Sequence, residues 1–151
     1  AGESFLIHHR CFMATLYLTY SEQKSGGEVC QGQESDNYPM YEDTCVDWSL
    51  LKCYKTKDPK DFSRWQSEQV EVGFDPAVGS DVYVVYVRYQ TGGSFSTTHG
   101  AWAIVGVYQT GEEAKQIRQS ITDKTFEGYT PWEGYFQHLQ GTGIEYMQVE
   151  P

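Results

Sequence analysis

The densest collection of reactive and hydrogen-bonding groups is the stretch Tyr89-Gln90-Thr91-Gly92-Gly93-Ser94-Phe95-Ser96-Thr97-Thr98-His99-Gly100. It combines hydroxyls, an imidazole and two adjacent glycines at the ends of strand-like segments, where binding groups are often carried. Paired glycines can turn backbone N–H groups toward an anion. A phosphate loop, however, needs its glycines to lead into a helix N-terminus, as in GxxxxGK[ST] or GxGxxG. Here they lead into another apolar run, so the stretch reads as a polar hairpin connection or a binding loop without a nucleotide motif. Tyr89, Thr91, Ser94, Phe95, His99 and Trp102 are the candidate binding residues, and no residue qualifies as catalytic.

The remaining reactive groups carry less. His8 and His9 are adjacent, and neighbours on an extended chain point to opposite sides, so the pair is a poor chelator. Cys11, Cys30, Cys45 and Cys53 are separated by 19, 15 and 8 residues, which matches no CxxC zinc pattern. Reduced, partly buried thiols in a cytoplasmic protein are the expectation. A His99–Cys53 nucleophilic pair has no local signature to support it. The carboxylates gather at Glu42-Asp43, Glu112-Glu113 and Asp75, and a helix start accounts for the second pair. Lys52, Lys55, Lys57, Lys60 and Arg64 form the one local concentration of positive charge, read as a solvated surface. The sequence therefore implies no cofactor and no metal.

Charge narrows the partners. Twenty-one acidic residues against 11 basic ones give a formal net charge of −10. Nucleic-acid binders draw most of their affinity from basic contacts to phosphate, so that role is disfavoured. The acids are scattered with no long block of Asp and Glu, so a solvated surface is favoured over a DNA mimic, which needs acids spaced like phosphates across one face. No apolar run approaches the roughly eighteen residues of a membrane helix, and residues 1–10 lack the charge order of a signal peptide. The expectation is a cytoplasmic chain with a protein partner, or copies of itself, and neither nucleic acid nor membrane.

These groups need a scaffold. At 151 residues the chain suits a single domain, with residues 1–12 a leader or appended sequence. Strand patterns cover residues 12–20, 67–74, 81–90 and 101–108. Residues 21–43 form a long polar excursion. A short helix is expected over residues 44–54, because Val46, Leu50, Cys53 and Tyr54 fall on one helical stripe. Asp58-Pro59 signals another brief helix. Thr110-Gly111-Glu112-Glu113 is a capping box, followed by an inward stripe of Ala114, Ile117 and Ile121. Thr130-Pro131-Trp132-Glu133 repeats the box. Trp132, Tyr135, Phe136 and Leu139 then follow at helical spacing, with Gly141 as a stop. His138 falls off that stripe, and residues 144–149 make a last strand. The expected class is α+β: an antiparallel or mixed sheet ending in a strand-strand-helix-helix-strand unit, helices packed on the sheet.

The pattern Tyr89-x-Thr91-Gly92-Gly93-Ser94-Phe95, then Gly100-x-Trp102, Gly111-Glu112-Glu113-Ala114 and Pro131-Trp132-x-Gly134-Tyr135-Phe136 resembles a group of uncharacterised small accessory proteins of tailed phages and mobile elements. The resemblance covers about residues 81–150, and its hallmark is a Thr-Gly-Asp-Ser/Thr-Phe-Gly hairpin. This chain departs from it, with Gly93 in place of the Asp and Ser96 where Gly is expected. The resemblance implies an accessory protein inside a bacterial host, and it brings no catalytic residues. Two readings follow: a non-enzymatic protein-binding factor, or a small-molecule binder or small enzyme with a pocket beside residues 91–100.

Overall fold

The computed structural model describes residues 13–25, 45–56, 66–92, 99–134 and 137–151. Their order is β1 (Ala14–Ser25), β2 (Cys45–Tyr54), β3 (Gln66–Val72), β4 (Asp81–Thr91), β5 (His99–Tyr108), α1 (Gly111–Thr122) and β6 (His138–Glu150). All six strands join one sheet in the order β3-β1-β2-β6-β4-β5. The two outer strands, β3 and β5, come back into contact, so the sheet curls into a nearly closed barrel. The architecture is therefore mostly sheet with one helix, and not the α+β arrangement with two helices on a sheet that the sequence suggests.

The difference lies in two segments. Residues 45–54 are a strand, antiparallel to β1, interrupted where Thr19 pairs with Lys52 and Tyr20 with Leu50. Leu51 is the extra residue of a β-bulge, which shifts side-chain parity by one. The inward residues Leu50 and Cys53 thereby sit three apart instead of two, which imitates helical spacing. The Thr19 hydroxyl stitches the bulge: Oγ1 accepts from Lys52 N–H at 3.1 Å and donates to the Lys52 carbonyl at 3.4 Å.

In place of the second expected helix, over residues 131–140, the described residues 131–134 form one turn and 138–140 the start of β6. Glu133 N–H donates to the Thr130 carbonyl at 3.0 Å, and the Thr130 hydroxyl donates to the Glu133 carboxylate at 3.3 Å. The box residues close a turn and nothing propagates from it. Gly134 disfavours helix by about 1 kcal/mol relative to Ala, and residues from His138 onward find a full ladder with β4 instead. Gly141 lies inside that strand and is no helix stop. The Asp58-Pro59 signal falls outside the described residues.

The first capping box does nucleate α1. Thr110 Oγ1 accepts from Glu113 N–H at 3.2 Å, and Ala114 and Ile121 are buried. The helix closes with Thr125 N–H on the Ser120 carbonyl and Lys124 N–H on the Ile121 carbonyl, with Lys124 left-handed at φ 61°.

Alternation divides the core in two. Leu16, Leu18, Cys53, Val72, Val82, Val84, Val107, Met147 and Val149 fill one half of the barrel interior. On the outer face of β4, Val85 and Val87 pack under Ala114, Ile121 and Trp132. β4 is thus buried on both faces, which explains its nearly unbroken Val/Tyr composition.

Candidate functional site

The even-numbered residues of β4 face the barrel interior. Val82 and Val84 belong to the apolar half, and Tyr86, Arg88 and Gln90 continue toward the other end. At that end the pairs Ser25↔Cys45 and Thr91↔His99 mark where β1 meets β2 and β4 meets β5. Ser25, Cys45, Thr91 and His99, the strand residues at these junctions, therefore lie on the same side of the barrel.

Four aromatic rings converge there from four strands. The Trp48 and Trp102 rings stack at 4.2 Å and 14°. Tyr20 meets Trp102 edge-on at 4.6 Å, and Tyr86 meets Trp48 edge-on at 5.1 Å. Such pairs contribute about 0.5–1.5 kcal/mol each beyond the area they bury. Tyr86 can lie across β6 because its cross-strand partner is Gly143, where any Cβ would collide with the Tyr86 ring. Arg88 completes the group. Its guanidinium carbon lies 5.6 Å from the Trp48 ring and 5.9 Å from the Tyr86 ring, within cation–π range. The side chain is exposed, and its cross-strand neighbour Gly141 leaves open space where a Cβ would stand.

Two buried polar atoms belong to the same end. Trp48 Nε1–H and Gln90 Oε1 have no hydrogen-bond partner among the described residues. One is a donor and the other an acceptor, and a buried group left in that state costs about 1–3 kcal/mol. Glu68 on β3 pairs with Leu18 and so faces the interior, where burial raises its carboxyl above the usual 4.5. The chemistry on offer is a cation, a lone donor, a lone acceptor and flat apolar walls, which suits recognition.

The six sequence candidates do not form one site. Trp102 is paired with Arg88 and faces inward. Tyr89, one residue on, faces outward and packs in the cluster beneath α1, where burial first and nearby Tyr129 second raise its hydroxyl above 10.0. Thr91 shares the outer face, its Oγ1 accepting from Gln137 Nε2 at 3.2 Å. The His99 backbone pairs with Thr91, while its side chain, Ser94 and Phe95 lie outside the described residues. Tyr20, Trp48, Tyr86, Arg88 and Gln90 are not among the six candidate binding residues of the sequence. For the last three, the alternation of β4 was the available signal.

Of the other reactive groups, His138 reaches this end as the cross-strand partner of Gln90, whereas Cys53, Lys52 and Lys55 lie toward the opposite one. Cys53 is a free, fully buried thiol. Lys52 lies 3.7 Å from Glu150 and Lys55 lies 3.5 Å from Asp75, both as largely exposed pairs that contribute at most about 1 kcal/mol. His138 opens β6 at the surface. Among the described residues no group of His, Cys, Asp and Glu could hold a metal ion, and no helix is long and apolar enough to cross a membrane. A cleft of about 440 Å3 opens between β2 and β6, lined by residues 50–52 and 145–150. The chain matches no protein-family model, no curated protein and no solved structure.

Proposed function

We propose that the chain is a non-enzymatic binding protein, a cytoplasmic accessory factor of the phage or mobile-element kind, that engages a protein partner through the aromatic end of the barrel. The observation that carries this reading is Arg88, exposed and laid over Trp48 and Tyr86, with no carboxylate partner among the described residues. Arg, Trp and Tyr are the residue types that dominate interface energies. An uncommitted cation in a chain of net charge −10 selects an acidic side chain on the partner and repels a second basic one.

The test is a comparison of wild type with Arg88→Ala and Arg88→Glu, as bait for proteins of a bacterial lysate and in sedimentation for self-association. A specific partner, or a dimer, retained by wild type and lost by both variants supports the reading. Retention of the same species by Arg88→Glu contradicts it.

The second reading is a small ligand at the same end. Trp48 Nε1–H and Gln90 Oε1 favour it, because a ligand with one acceptor and one donor would satisfy both. Ligand entry would shift the Trp48 indole N–H resonance without retaining any protein, which separates the two readings.

A further inference from the structure

Among the described residues, every ladder in the sheet is antiparallel except the one between β2 and β6. That junction is parallel and two residue pairs long, Cys53↔Val149 and Tyr54↔Glu150. Lys55 N–H extends it by one bond to the Glu150 carbonyl at 2.8 Å. Ahead of this point the two strands part. Among the described residues, 45–52 have β1 as their one ladder partner and 138–148 have β4. Both therefore present a row of main-chain donors and acceptors to the space between them.

Direction gives that space a meaning. Since β2 and β6 run the same way, a single strand running the opposite way would form an antiparallel ladder with each. With that strand added, the ladders from β3 to β5 are antiparallel throughout. Its walls are apolar and acidic. Leu50 and Met147 face inward at the crotch, while Leu51 and Tyr146 are exposed at 40% and 56%. Lys52 is committed to Glu150, whereas Glu145 has no ion-pair partner among the described residues.

We infer that the β2–β6 seam is a strand-addition site for an extended segment of another protein, carrying Lys or Arg beside β-branched apolar residues. Main-chain hydrogen bonds supply the affinity, and alternate side chains supply the selectivity. Glu145 and the net charge of −10 select the basic segment over an acidic one. This surface borders the end that carries Arg88 through Trp48 and Gly141, and Glu145→Lys and Arg88→Glu test the two separately, so each can fail alone. The β3–β5 approach is the internal control, since those strands are in contact but share no ladder.

The test uses the full chain, isotope-labelled, and a synthetic peptide of about nine residues, a usual strand length, alternating Val with Lys and Thr. Two companions carry Glu in place of Lys, or a central Pro. The Lys peptide is expected to bind saturably and to slow amide exchange at residues 45–52 and 138–148. The Glu and Pro peptides bind at least about tenfold more weakly, a step of one missing ladder contact or one repelled charge. Glu145→Lys, an exposed change that leaves the core intact, weakens the Lys peptide about fivefold. Absence of saturable binding by the Lys peptide overturns the inference. So does equal binding by the Pro peptide, or protection confined to β3 and β5.

Discussion

Raising the pH should unfold this protein through a thiol that never touches water. Cys53 is fully buried between Leu18 and Val149, its neighbours on β1 and β6. Burial, with Glu150 adding to it, pushes its pKa from the ordinary 9.0 to about 12. The unfolded chain releases the thiol proton near 9.0 while the folded chain holds it. The neutral thiol's contribution is thus complete below pH 9 and is lost progressively as the pH climbs toward 12. Each unit in that window is worth about 1.4 kcal/mol, or about 2.7 kcal/mol at pH 11. That is a large part of the roughly 5–15 kcal/mol that holds a domain together. Tyr108, raised by burial and then by Glu113 from 10.0 to about 12, steepens the loss above pH 10. The assay is urea unfolding followed by tryptophan fluorescence at pH 8, 9, 10 and 11, on wild type and Cys53→Ala. The variant loses about 1 kcal/mol at neutral pH through the small cavity it leaves, and its alkaline slope is shallower by the Cys53 share. Identical slopes in the two proteins would refute the burial of this thiol. Alkylation of Cys53 at pH 8, located by peptide mapping, as fast without urea as with it, would refute it as well.

Three further substitutions test local claims. Gly143→Ala drives the Tyr86 ring off Trp48, so near-ultraviolet dichroism should change and stability fall by about 1–3 kcal/mol. In a Tyr86→Ala background the same change should be nearly silent, and an equal loss in both backgrounds would reject the contact. Thr110→Ala removes the cap of α1 and should cost about 1 kcal/mol in chemical unfolding. Thr130→Ala, at a turn that starts no helix, should stay within about 0.5 kcal/mol; matching losses would restore the second helix.

What the sequence made legible was local. The Val/Tyr run of β4, the apolar run of β5 and the Thr110 box each carry their own signal within about ten residues. What it concealed required a partner strand. The bulge at Leu51 is defined only against Thr19 and Tyr20 on β1, so from one strand its spacing looks helical. The aromatic spacing from Trp132 reads as a helix face until the β4 ladder claims His138 and Leu139. The site was half legible for the same reason. Of the hairpin-end candidates, Trp102 turns inward while Tyr89 and Thr91 turn outward. The hairpin's register, Arg88 opposite Trp102 and Tyr89 opposite Ala101, decides which of them share a face. Tyr20 and Trp48 arrive from strands whose place in the sheet order is set by long-range pairing.

Amide hydrogen exchange along β6 in the free protein tests the nearly closed barrel with its open seam most directly. β4 takes the N–H groups that point toward it, and those pointing toward β2 have no acceptor strand among the described residues before Val149. The expected result is an alternation of slow and fast amides over residues 140–148, giving way to consecutive slow amides at residues 149–150. Uniform protection along the whole of β6 would mean that the seam is closed and the sheet complete without a partner.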